Sequence, residues 1–113
     1  MAETPPVATP HKGLWHFPED DPIYTEHFPG MAIVPGSLLI GAFLHEIRES
    51  YPKISNIQIS RFSFRSFLEP GTYPFSIHTS VGADQLTVFT CIIFDHHNKK
   101  RLATGSIKAT ITS

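Results

Sequence analysis

Apolar and polar positions divide this chain into three regimes. From Ser37 to about Ser50 the apolar residues Leu38, Leu39, Ile40, Ala42, Phe43, Leu44 and Ile47 predict a helix, with Ser37 as its N-cap and Pro52 ending the run. They cover most of the circumference of its first turns, so the helix is expected to be buried on nearly all sides. At 100° per residue Ser37, Gly41, His45 and Arg48 share the one polar stripe of that buried part, which must face a cavity, a partner surface or another polar group.

After Pro52 the period changes to two. Ile57 and Ile59 occupy odd positions and Phe62 and Phe64 even ones, a one-residue phase slip that predicts a bulge or bend near Arg61. Tyr73, Phe75, Ile77 and Val81 alternate with polar residues as a half-buried strand does, and Leu86 to Phe94, apolar on both faces, is expected at the centre of the sheet. Leu102 to Ile111 puts Ala103, Gly105, Ile107, Ala109 and Ile111 on one face, where the small residues would let a helix approach. Turns are expected at 69–72, 82–85 and 95–98.

Before the helix, residues 1–12 read as a flexible tail, Leu14 to Phe17 as a short strand, and Pro18 to Pro22 as an acidic turn. The sum is a single α+β domain over residues 13–113: one buried central helix wrapped by a five- to six-stranded antiparallel sheet in a meander.

Composition narrows the function. A chain of 113 residues is the size of one domain, and a modest core of this size would benefit from burial against a second copy. A formal net charge of -1, with Lys99-Lys100-Arg101 as the basic run, argues against nucleic acid. Cys91, the sole cysteine, sits among Val88, Phe89, Ile92 and Ile93 as a buried thiol expected to be inert, and no metal site is expected, His96-His97 being adjacent turn residues without a third ligand in view. The apolar run from Met31 to Leu44 is broken by Pro35-Gly36 and falls short of the roughly 20 residues of a membrane span. The opening Met1 to Pro10 has none of the basic and apolar order of a signal peptide, so a cytoplasmic location is expected.

Candidate chemistry lies between His27 and His45, where His27-Phe28-Pro29-Gly30 is followed by Pro35-Gly36 and the apolar helix start Leu38-Leu39-Ile40. With Asp21-Pro22-Ile23-Tyr24 before it, and Phe62-Ser63-Phe64-Arg65 and Glu69-Pro70-Gly71 after it, this stretch resembles the hotdog-fold beta-hydroxyacyl acyl-carrier-protein dehydratases of fatty acid synthesis and their relatives in polyketide and aryl-polyene pathways. The resemblance covers residues 13 to 112. It implies that His27 is the general base for the alpha proton of a 3-hydroxyacyl thioester, and that the Gly36 N–H donates to the thioester carbonyl. Phe28, Pro35, Ser37 and Gly41 would line the substrate. It implies no cofactor beyond the phosphopantetheine of an acyl carrier protein, or coenzyme A, that carries the substrate. Physical chemistry agrees with the role of Gly36, because a helix N-terminus has unpaired N–H groups and a partial positive charge.

The family places an Asp or Glu fourteen residues after the histidine as the acid for the departing hydroxyl; here that position is Gly41. His45, close to the same stripe, is a candidate substitute, and Glu46 points elsewhere on the helix. Three functions follow: a dehydratase whose acid comes from a substitute or a partner chain, a non-catalytic hotdog subunit that binds acyl thioesters or pairs with an active dehydratase, or a thioesterase or isomerase. The expected partners are an acyl carrier protein and a second hotdog chain, in a homodimer or in a heterodimer with a carboxylate-bearing homologue.

Overall fold

The computed structural model describes residues 11–18, 34–97 and 99–111. Strand β1 (His11–Phe17) is followed by helix α1 (Gly36–Ser50) and then by β2 (Ile54–Phe64), β3 (Gly71–Val81), β4 (Thr87–Phe94) and β5 (Arg101–Ile111). One antiparallel sheet holds all five strands in the order β1-β3-β4-β5-β2. β4 is central, as its two apolar faces predict. β1 begins at His11, inside the expected tail, because His11 and Lys12 pair with Ile77 and Ser76 of β3.

A simple meander is corrected at one point. β3, β4 and β5 follow one another, whereas β2 lies beyond β5 at the opposite end of the sheet from β1. The link between β2 and β3, residues 65–70, therefore crosses three strand spacings, about 14 Å. Six extended residues span up to about 20 Å, so the link is long enough to cross directly. It is pinned on the way: the Arg65 N–H donates to the Leu102 carbonyl at 2.8 Å, and the Val34 N–H donates to the Leu68 carbonyl at 2.7 Å. Leu68 is buried, and the crossing link is thereby fastened to the chain just ahead of α1.

The phase slip in β2 is a bulge, with Arg61 at φ +54° and the register with β5 shifting between Ser60 and Ser63. A second bulge lies at Asn56, φ +52°, where the register shifts between Ser55 and Gln58. Bulges of this kind increase twist and interrupt the row of backbone groups on an edge strand.

α1 lies on one face of the sheet. Leu39, Phe43 and Ile47, spaced four residues apart, are its buried stripe and join Phe75, Ile77, Phe89, Cys91, Ile93, Ile107 and Ala109 in the core. Aromatic packing fixes the helix: the Trp15 ring stacks on Phe75 with centroids 4.1 Å apart and meets Phe43 edge-on at 4.6 Å. Gly105 admits a side chain rather than the helix itself. An added Cβ there would collide with the Phe62 ring, which packs in turn 6.1 Å from Phe43. Cys91 is wholly buried, its Sγ 3.6 Å from the Phe89 carbonyl, and desolvation pushes its thiol up to about 12, which keeps it protonated and unreactive. Among the described residues no helix is long and apolar enough to cross a membrane.

Candidate functional site

The start of α1 is the chemically distinctive place in the fold. Pro35, at φ -63° and ψ 142°, is the N-cap, so the helix begins one residue before Ser37 and that serine is not the cap. The Pro35 carbonyl accepts the Leu38 and Leu39 N–H groups at 3.0 and 3.3 Å, and its extended backbone suits the capping position without a side-chain hydroxyl. Among the described residues no side chain caps the helix, and its first turn carries no acid. The Gly36 and Ser37 N–H groups thus precede the first intrahelical bond, at the positive end of the helix dipole.

A cavity of about 140 Å³ opens on this helix start, lined by Val34, Pro35, Gly36, Leu39, Phe64, Ser66, Phe67 and Leu68. Its walls come from three places: the chain entering the helix, the end of β2 and the crossing link. Gly36 brings the backbone close to the Phe64 ring: an added Cβ would lie 3.0 Å from it, and the ring would have to shift by a few tenths of an ångström. Phe64 and Phe67 are 41% and 78% exposed, leaving two aromatic faces at the cavity mouth. An oxyanion aimed at a helix N-terminus between apolar walls is stabilised more than in water, because nearby dipoles are preorganised and the local dielectric is low.

A larger cleft of about 400 Å³ shares Ser66 and Phe67 with that cavity and continues over Glu69, Thr72, Asp95 and His96. Its polar groups are engaged locally. The Tyr73 hydroxyl donates to the Glu69 carbonyl at 2.6 Å, and the Asp95 carboxylate accepts the His97 N–H at 2.8 Å. Among the described residues no group of three or more His, Cys, Asp or Glu is placed to hold a metal ion.

The polar stripe of α1 is open rather than enclosed. Ser37, Gly41, His45 and Arg48 are exposed, correcting the expectation of a helix buried on nearly all sides; Leu38, Ile40 and Leu44 are half-buried. A Cβ at Gly41 would meet no atom of the described residues within 4 Å. Among the described residues His45 lines no cavity: its side chain is 72% exposed and its Nε2 lies 3.5 Å from the Glu49 carboxylate one turn on. Glu46 points away, as expected, to His11 of β1 at 3.4 Å. His27 and Phe28 lie outside the described residues.

Phe64, Phe67 and Leu68 were not singled out as site residues by sequence. The signal was the pair Phe67-Leu68, two apolar residues placed just before the Glu69-Pro70-Gly71 turn where a solvated loop would be polar.

The fold matches a solved structure, the (R)-hydratase from A. caviae involved in PHA biosynthesis, with a TM-score of 0.68 and 15% sequence identity over 98% of this chain and 100% of that one. One helix on a five-stranded antiparallel sheet, matched over its whole length, makes this a hotdog-fold protein. No protein-family model matches the sequence, and no curated protein matches it. At this identity the likeness establishes the fold.

Proposed function

We propose that the protein is a hydratase- or dehydratase-like lyase acting on 3-hydroxyacyl thioesters. The observation that carries this reading is the helix start without a side-chain cap, opening at Gly36 into an apolar cavity. The thioester carbonyl accepts the Gly36 N–H, which stabilises the enolate oxygen as the alpha proton leaves; a donor of this kind contributes about 3 to 4 kcal/mol to lowering a barrier. His27 takes that proton as general base. The beta-hydroxyl departs as water after accepting a proton, leaving the enoyl thioester. The substrate arrives on the phosphopantetheine of an acyl carrier protein or on coenzyme A.

The acid comes from a group that faces the open stripe of α1. Gly41 has no side chain to give, and the space before it suits a carboxylate from a second hotdog chain. His45, exposed on the same stripe, is the substitute within this chain. A second reading is favoured by Gly41: a subunit that binds the thioester, or supports an active partner, without completing the reaction.

Purified protein, alone and mixed with a carboxylate-bearing hotdog homologue, should be assayed for conversion of a 3-hydroxyacyl pantetheine thioester to the enoyl product. His27→Ala should abolish turnover, and Gly41→Glu, whose side chain has room, should raise it in the protein alone. Turnover unchanged by His27→Ala would overturn the catalytic reading. Saturable thioester binding without turnover in any mixture would leave the binding subunit.

A further inference from the structure

The face of the sheet turned away from α1 carries a depression that the thioester site does not use. The inner face takes Phe75, Ile77, Cys91 and Ile93, so Ser76, His78, Thr90 and Ile92 point outward, with Ser76 opposite Ile92 and His78 opposite Thr90 in the register of β3 and β4. Outward residues of a one-sided sheet are normally wet. Ser76 and Ile92 are instead 2% and 4% exposed.

Ser76 lies at a trough of about 330 Å³ whose lining also includes Lys12 of β1, Pro74 and His78 of β3, Phe94 of β4, and Lys99 of the turn that follows. The volume is that of a small-molecule pocket, and its character is divided in the way such pockets are. Pro74 and Phe94 supply apolar wall. Ser76 Oγ and His78 Nε2 are 3.3 Å apart, a polar pair at the buried serine. Lys12 and Lys99 are exposed cations, and among the described residues no acidic one lines the trough.

We propose that this trough is a second ligand site, separate from the start of α1, that takes a small amphiphilic carboxylate. The apolar body lies along Pro74 and Phe94, and the carboxylate is met by the ammonium groups of Lys12 and Lys99, with the His78 imidazole beside it. A neutral body of the same length loses the charge-assisted contacts, and a cationic one is repelled.

Octanoate titrated into the full chain, with octanol as the neutral control, tests this by calorimetry and by the imidazole resonances of His78. Octanoate should bind saturably and move those resonances, and octanol should bind at least about ten-fold more weakly. The double variant Lys12→Glu and Lys99→Glu, two surface changes that leave the core untouched, should weaken octanoate by about ten-fold or more. Absence of saturable binding would overturn the proposal. So would binding that leaves His78 unmoved, or that survives the double variant; octanoate that instead moves the Gly36 amide belongs at the start of α1.

Discussion

Two faces of the same helix differ more than any two elements of the sheet. On one, Leu39, Phe43 and Ile47 are 1%, 1% and 2% exposed, and Phe43 packs against aromatic residues of β1, β2 and β3. On the other, Ser37, Gly41, His45 and Arg48 stand in the open, and an added methyl at Gly41 would meet nothing. The first face holds the single chain together. The second contributes little to that chain's stability, so its residues are free to serve a substrate or a second chain.

Breaking the buried face should have the largest effect. Phe43→Ala removes a ring that meets Trp15 at 4.6 Å, Phe62 at 6.1 Å and Phe75 at 6.2 Å. The cost should be about 3 to 5 kcal/mol, read as a lower denaturant midpoint, because the cavity left by a ring collapses only in part. For a domain whose whole stability is about 5 to 15 kcal/mol, this is a large share. A loss below about 1 kcal/mol would show that the ring cluster is not the centre of the core.

Gly41→Ala probes the open face and should act in the opposite direction. Glycine inside a helix is about 0.8 to 1 kcal/mol less favourable than alanine, and here the added methyl enters empty space. Thermal unfolding should therefore move upward. If a second chain packs closely on this stripe, the gain appears only at low protein concentration and shrinks as the protein associates, so a melt at two concentrations separates the cases.

The contrast between the faces also explains what could be read from sequence. The helix, its closing Pro52, the central position of β4 and the bulge at Arg61 all follow from local periodicity, and each is present. The bulge at Asn56 left the same signal, since Ile54 and Ile57 are out of phase, but a strand taken from Ile57 onward does not contain it. The crossing from β2 to β3 is illegible, because strand order depends on which edges meet in space. Gly36 is placed by its Pro-Gly context, whereas the cavity around it is built from residues some 30 positions later, Phe64 to Leu68. The helix looked buried all round because Leu38, Ile40 and Leu44 widen the apolar arc; in the fold they are half-buried shoulders between the two faces.

The smallest effect on stability is expected at His45. Its contact with Glu49, at 3.5 Å between side chains 72% and 69% exposed, is an i to i+4 surface pair, worth about 0.5 kcal/mol or less and weakened by salt. His45→Ala should leave the unfolding midpoint almost unchanged. That makes the variant a clean probe of the open face, because a change in turnover then cannot come from the fold. If His45 supplies the proton to the departing hydroxyl, kcat should fall with KM held and the alkaline limb of the pH profile should change, while His45→Gln, which keeps the hydrogen-bonding shape, should not restore the rate. Unchanged turnover in both variants would remove His45 as the acid.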